Sequence, residues 1–189
     1  MDKGTLEGYP KAELTETANP ASFMERKVDY LIPAATEKSI HMENAPKIQA
    51  RAVFEGGNGP TTFAGEEILQ SRGIVVCPDL LVNGGGVTCS YFEWLKNISH
   101  VSPGKMTKKF DQQSQLKLIE LIGISTEDID IKGADEIDIV YSALDEIMTE
   151  ATKDNWAYAM HHNLNFRDAC LGNAMMKIYR MYQESGLTL

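Results

Sequence analysis

Three short apolar runs, each closed by turn-forming residues, constrain the fold of this 189-residue chain more than any other feature. The runs cover residues 28–32, 50–54 and 74–82, and they recur at intervals of about 25 residues. We expect Pro78 to end the paired part of the third run, because proline has no amide hydrogen to donate. Apolar runs separated by crossovers of this length predict a parallel α/β unit with right-handed connections.

The carboxy-terminal half has helical spacing. The Phe63–Ser71 segment already shows this spacing and is stopped by Gly73. Further helices are predicted over residues 87–98, over about residues 136–160, and from an N-cap at Asn165 to the region of Gly186. Pro103 and Gly104 break the pattern between them, with one helix expected around residues 113–122. The methionines of the last helix, Met175, Met176 and Met181, are expected in the core.

Charge and cysteine usage exclude several classes of partner. A net charge of −9 argues against a nucleic-acid or anionic-membrane surface, because both need clustered Lys and Arg. No stretch reaches the roughly 20 apolar residues of a membrane span.

The three cysteines lack a disulfide or metal-ligand spacing, so we expect reduced thiols in an intracellular protein. The four histidines indicate no metal site, and His161-His162 is expected to end a helix or lie on the surface.

Three turn segments follow the predicted strands. They are residues 33–35, residues 55–62 and the run Asn83-Gly84-Gly85-Gly86. Ligands of open parallel sheets bind beyond the carboxyl ends of the strands, and glycine lets a backbone approach a ligand closely. Asn58 and Asn83 can hydrogen-bond a carboxamide or a ribose. The alternative, that these are ordinary turns between strands and helices, stays open on the residues alone.

Two long runs resemble a known family. NAPKIQARAVFEGGNGPTTFAGEEIL and VCPDLLVNGGGVTCSYFEWLKNISHVSPGK are similar to the hexameric glutamate dehydrogenases, especially those of eukaryotes. The resemblance extends back through VDYLIPAATEK and resumes in the segment that begins GADEIDIVYSALDEIM. Leucine, valine and phenylalanine dehydrogenases share the fold, but the SYFEW sequence after the glycine turn indicates the glutamate branch.

The resemblance implies a reaction and a set of contacts. L-Glutamate would be deaminated oxidatively to 2-oxoglutarate and ammonia, with NAD or NADP as cofactor. The cofactor-binding and substrate-binding residues that the resemblance implies are Ala34, Ala35, Asn58 and Asn83 for the cofactor, and Val87 and Ser90 for the substrate. The Ser90 hydroxyl would donate to the side-chain carboxylate of glutamate. The alternative is that Ser90 is an ordinary helix residue.

The resemblance also implies that parts of the family's machinery lie outside these residues. The catalytic lysine and aspartate and the glycine-rich pyrophosphate turn have no counterpart here, so we expect no catalytic residue in this chain and no activity from it alone. The predicted division is an irregular lead-in (1–27), a partial Rossmann-like NAD(P)-binding domain (28–100), a shortened antenna-like insertion (101–132) and carboxy-terminal helices (133–189). The full-length family implies a homo-hexamer, and its eukaryotic members imply the mitochondrial matrix, with the cytoplasm as the alternative. A non-catalytic subunit that joins full-length partners remains the competing hypothesis.

Overall fold

The computed structural model describes residues 20–99, 103–121, 133 and 135–186. The chain forms two compact units, which divide between Val82 and Asn83. The predicted lead-in lies outside the described residues up to position 19, and a 3-10 helix follows at Pro20–Glu25. Residues 101–102 and 122–132 of the predicted antenna-like insertion also lie outside them. Each unit is described separately below.

The first unit contains a three-stranded parallel sheet. Its strands are β1 (Tyr30–Leu31), β2 (Ala52–Phe54) and β3 (Val75–Cys77), in the order β1-β2-β3. Both pairings are parallel, with Leu31 opposite Val53 and Val53 opposite Val76. The parallel α/β arrangement predicted from the three apolar runs is therefore confirmed, although each strand is shorter than its run.

Two crossovers cover the sheet and supply its core. The first contains a 3-10 turn at Ala45–Lys47, and the second contains helix α1 (Phe63–Ser71). The Thr62 side chain accepts the Gly65 amide to begin α1, and Gly73 follows its end with φ +76°. These crossovers and the strands bury one apolar cluster, made of Ile40, Ala45, Ile48, Ala50, Val53, Leu69, Ile74 and Val76. The core therefore lies between the β1-β2-β3 sheet and its two crossovers.

The third apolar run differs from its prediction after Pro78. The strand candidate over residues 74–82 pairs only as β3, and the rest forms the short helix α2 (Asp79–Val82). Pro78 cannot donate to a strand ladder, whereas the amides of Leu81 and Val82 both bond to its carbonyl oxygen. The Asn83-Gly84-Gly85-Gly86 run therefore follows a helix, and the expectation that it comes directly after a strand is wrong.

The described part of the second unit is helical. Its helices are α3 (Gly84–Ser99), α4 (Pro103–Leu121), α5 (Glu136–His162) and α6 (Phe166–Glu184). The helical carboxy-terminal region is confirmed. His161 and His162 end α5 and are exposed, and Asn163 then adopts a left-handed conformation with φ 52°. The Asn165 side chain accepts the Asp168 amide at 2.8 Å, as predicted for an N-cap.

Two helical expectations need correction. Pro103 and Gly104 do not interrupt α4 but form its first turn, where proline is tolerated because the first amides of a helix lack an intrahelical partner. The predicted end of that helix at Ile122 lies outside the described residues. The methionines of α6 are not core residues in this chain, because Met175 and Met181 are 63% and 65% exposed and Met176 is 38% exposed.

Candidate nicotinamide-side cofactor site

The first two turn segments meet at the carboxyl ends of β1 and β2. The Gly57 amide donates to the Pro33 carbonyl oxygen at 2.9 Å, which joins the turn after β2 to the turn after β1. Ala34, Ala35 and Asn58 are all exposed beside this link. The structure therefore brings together three of the four residues predicted to contact the cofactor, on a surface of small side chains.

The closest approach of these turns explains one of their glycines. A Cβ atom added at Gly56 would lie 3.1 Å from the Cβ of Ala34, and one added at Gly57 would lie 3.5 Å from the Ala35 nitrogen. The first distance is shorter than a relaxed contact between carbon atoms. Gly56 thus allows the two turns to pack closely, while Gly57 tolerates a methyl group and leaves its backbone near the surface.

Two carboxylates that the sequence analysis did not single out hold the same loop. Glu55 is fully buried at the end of β2, and its Oε2 accepts the Asp79 amide at 2.9 Å. Asp79 Oδ2 in turn accepts the Gly59 amide at 2.8 Å. Only the position of Glu55 between a strand and a glycine run could have drawn attention to it, since its partner is 24 positions away.

Cys77 ends β3 beside this acidic group. Burial raises the pKa of the Cys77 thiol, and the charge of Glu55 raises that pKa further. Both causes disfavour the thiolate, which is the reactive form of cysteine. Cys77 is therefore suited to a structural role, and the geometry gives no support to a nucleophile there.

The other three predicted contact residues belong to the second unit. Asn83 precedes α3, and its carbonyl oxygen accepts the Gly86 amide at 3.2 Å. Val87 is 75% exposed in the first turn of α3. Ser90 is exposed one turn further along, and its hydroxyl donates to the Gly86 carbonyl oxygen at 3.1 Å. This bond leaves the hydroxyl oxygen at the helix surface.

Glycines leave room around the start of α3. A Cβ atom added at Gly84 or Gly86 would meet no atom within 4 Å, whereas one at Gly85 would contact the Leu144 side chain at 3.5 Å. Gly85 therefore faces α5, and Gly84 and Gly86 keep open space. The predicted site residues thus form two groups, with Ala34, Ala35 and Asn58 in the first unit and Asn83, Val87 and Ser90 in the second.

A cleft elsewhere in the second unit does not contain these residues. It has a volume of about 760 Å³ and lies between α3 and α5, with Phe92, Leu95 and Val140 among its mostly apolar lining. The Lys96–Glu136 ion pair, at 2.6 Å, lies at the same place. None of the six predicted contact residues lines this cleft, so its size alone does not identify it as the cofactor site.

Comparison with known protein families shows which family this chain belongs to. Residues 1–125 match the family model described as glutamate/leucine/phenylalanine/valine dehydrogenase. The chain belongs to this dehydrogenase family. The match covers both turns of the first unit and the start of α3, so all six predicted contact residues lie inside it.

Named relatives support the same relationship. The mitochondrial glutamate dehydrogenase of Dictyostelium discoideum is 42% identical over 98% of this chain, and the matched region is 38% of that protein. The NADP-specific glutamate dehydrogenase of Synechocystis is 56% identical over 42% of the chain, which is 18% of its own length. The chain thus spans less than two fifths of the length of each of these curated relatives.

Solved structures agree with the fold. The glutamate dehydrogenase of Peptoniphilus asaccharolyticus superimposes with a TM-score of 0.59 and 30% identity, covering 83% of this chain and 32% of its own. The hetero-hexameric glutamate dehydrogenase of Thermus thermophilus, in its leucine-bound form, has a TM-score of 0.67 over 95% of this chain and 35% of its own. At 20% identity, the second comparison supports the fold alone.

Metal and membrane features complete the description of the site's surroundings. Within the described ranges, no group of three or more His, Cys, Asp or Glu side chains is placed to hold a metal ion. Of the helices that the structure describes, none combines the length and apolar character needed to cross a membrane.

Proposed function

We propose that this chain supplies the nicotinamide side of the cofactor site, and part of the substrate site, of an NAD- or NADP-dependent glutamate dehydrogenase. The observation that carries the proposal is the joined pair of turns at the carboxyl ends of β1 and β2. These turns expose Ala34, Ala35 and Asn58 in a chain whose family model includes glutamate dehydrogenases.

The residues of the first unit suit a dinucleotide. Small side chains at Ala34, Ala35 and Gly57 leave backbone groups accessible to a flat ring and its ribose. The Asn58 amide offers both a donor and an acceptor to the nicotinamide ribose. Asn83, at the start of α3, would meet the nicotinamide end. Relatives named as NAD-specific and as NADP-specific both occur, so the proposal leaves the choice between the two cofactors open.

The start of α3 suits the substrate. Val87 offers an exposed apolar contact, and Ser90 offers a hydroxyl that can turn from Gly86 to the side-chain carboxylate of glutamate. A hydrogen bond to a charged group contributes about 1.5–3 kcal/mol. The bound cofactor would accept a hydride from the substrate Cα at C4 of its nicotinamide ring. The residues of this chain would contribute contacts to the cofactor and to the substrate, whose orientation supplies much of such a rate enhancement.

The proposal also covers the assembly of the full-length enzyme and its cellular compartment. A hexamer of full-length subunits is the assembly implied by the resemblance to the hexameric glutamate dehydrogenases. A mitochondrial location is supported by the name of the Dictyostelium relative.

A second candidate function is a non-catalytic subunit that joins a full-length dehydrogenase. The exposed apolar side chains favour it, since Tyr30 and Ile32 at the β1 edge are 63% and 62% exposed and Met181 on α6 is 65% exposed. Edges and apolar patches of this kind promote association. Co-purification of the chain with a full-length dehydrogenase would favour this function, and a stable soluble monomer would count against it.

The substrate role of Ser90 gives a direct test of the proposed function. Residues 28–189 would replace the matching segment of the Dictyostelium enzyme, and Ser90→Ala would be made in this hybrid. Loss of one hydrogen bond to a carboxylate should raise KM for glutamate about 10- to 100-fold and leave KM for the cofactor unchanged.

A matched variant controls for changes to the helix. Asn97→Ala alters an exposed polar residue of α3 about two turns beyond Ser90. It should leave both KM values within about twofold of the parent hybrid, as expected for a surface change. Equal effects of the two variants on KM for glutamate would contradict the assigned role of Ser90.

A further inference from the structure

We propose that Glu55 and Asp79 are positioning residues that fix the Asn58 loop in its cofactor-binding geometry. This inference rests on the proposed function and deepens it. Neither carboxylate is among the residues predicted to touch cofactor or substrate. Both would act through the backbone of the loop.

Glu55 connects the ends of two strands. Its amide donates to the Cys77 carbonyl oxygen at 3.1 Å, and its Oε2 accepts the Asp79 amide at 2.9 Å. Glu55 is 0% exposed. Burying a carboxylate is costly unless hydrogen bonds compensate, so a residue of this kind holds its partners in a defined arrangement.

Asp79 extends the connection to the loop. Its Oδ2 accepts the Gly59 amide at 2.8 Å, and its Oδ1 accepts the Leu80 amide at 2.9 Å. Gly59 has φ +54°, a left-handed conformation that glycine adopts without strain. The Gly59 carbonyl oxygen accepts the Lys38 amide at 2.9 Å, so both backbone groups of Gly59 are bonded.

Asn58 therefore lies between two fixed points. On one side, Gly57 is bonded to Pro33 at the end of β1, and on the other, Gly59 is bonded to Asp79 after β3. The Asn58 side chain itself is exposed and reaches solvent from a loop whose ends cannot shift independently. Fixing the backbone on both sides of a contact residue preserves ligand affinity, because small displacements strongly weaken hydrogen bonds.

The test is a titration of the 189-residue chain with reduced nicotinamide mononucleotide. Binding is detected by the shifts of the amide resonances of Asn58 and its neighbours. The probe carries the nicotinamide ring and the adjoining ribose. Asp79→Ala should weaken its binding about tenfold, which corresponds to loss of one charge-assisted hydrogen bond. Asp79→Asn keeps one acceptor for the Gly59 amide, and the Leu80 amide can bond to water instead of to the side chain. The affinity of this variant for the probe should therefore stay within about threefold of wild type.

Two further variants separate positioning from general stability. Glu55→Gln retains an acceptor for the Asp79 amide and should bind like Asp79→Asn. Glu67→Ala removes an exposed carboxylate from α1 and should bind like wild type. Thermal unfolding is recorded for each protein, and binding is measured where all of them are folded.

The outcomes distinguish the two proposals. Weak binding by Asp79→Ala with rescue by Asp79→Asn supports the positioning role. Wild-type affinity in folded Asp79→Ala overturns that role and leaves the cofactor site intact. Absence of any response at Asn58 in the wild-type chain overturns the cofactor site and the positioning role together.

Discussion

At the scale of single residues, the Cys77 thiol is sensitive to the Glu55 carboxylate. Its pKa is raised by burial and by the Glu55 carboxylate, so Glu55→Gln should lower that pKa by removing the negative charge, while burial keeps it above the ordinary value. The measurement is the rate of Cys77 alkylation by iodoacetamide as a function of pH, followed on the Cys77 peptide by mass spectrometry.

The other half-buried thiol supplies the control. Cys89 lies in the second unit, and its alkylation profile should be the same in wild type and Glu55→Gln. An unchanged Cys77 profile in folded Glu55→Gln would contradict a charged Glu55 next to the thiol.

Single residues also mark the limit of the sequence analysis. Ala34, Ala35 and Asn58 were placed at strand ends by pattern and assigned contacts by resemblance, and the structure puts them on one surface. Glu55 and Asp79 were missed, because hydrogen bonds between residues more than 20 positions apart leave no local signal. Their roles depend on tertiary structure, which the spacing of apolar residues does not describe.

At the scale of elements, Arg72 ties the end of α1 to the first crossover. Its Nη1 and Nη2 donate to the carbonyl oxygens of Ala45 and Ile48 at 2.6 and 2.7 Å. Arg72→Ala should therefore lower the free energy of unfolding of the first unit by about 2 kcal/mol. Arg72→Lys should fall between, because one ammonium group cannot match the planar fork of a guanidinium.

The measurement is urea unfolding followed by the amide resonances of β2, so that the first unit is observed by itself. Arg51→Ala is the matched control, since its ion pair with Asp29 spans 3.9 Å between side chains that are 80% and 75% exposed. Exposed pairs of this kind contribute little. If Arg72→Ala lowered the free energy of unfolding no more than Arg51→Ala does, the proposed stabilising link between α1 and the first crossover would be contradicted.

Elements whose ends are marked by capping or helix-breaking residues were predicted well. Helix α1 matches its predicted bounds because Thr62 caps its start and Gly73 stops its end. The run after Pro78 was assigned to the third strand, although a short apolar run fits a strand or a buried helix equally well. Pro103 predicts a break ahead of a helix around residues 113–122, whereas the backbone uses it as the first residue of α4.

At the scale of the whole molecule, the fold class follows from the sequence, but the fate of the apolar surfaces does not. The parallel sheet and the helical second half were predicted and are confirmed. The three methionines of α6 are expected in a core, yet in this chain all three are exposed. Helical periodicity identifies an apolar face, but it cannot state whether this chain or another molecule covers that face.

We have proposed that this chain forms the nicotinamide side of a glutamate dehydrogenase site, and the activity of a hybrid enzyme tests this proposal. Hybrid enzyme, with residues 28–189 in the Dictyostelium framework, would be assayed for reduction of NAD and NADP with glutamate, leucine, phenylalanine and valine. We expect turnover that is fastest with glutamate, and none from the 189-residue chain by itself. A folded hybrid that is inactive with glutamate, or that prefers one of the other amino acids, would contradict it.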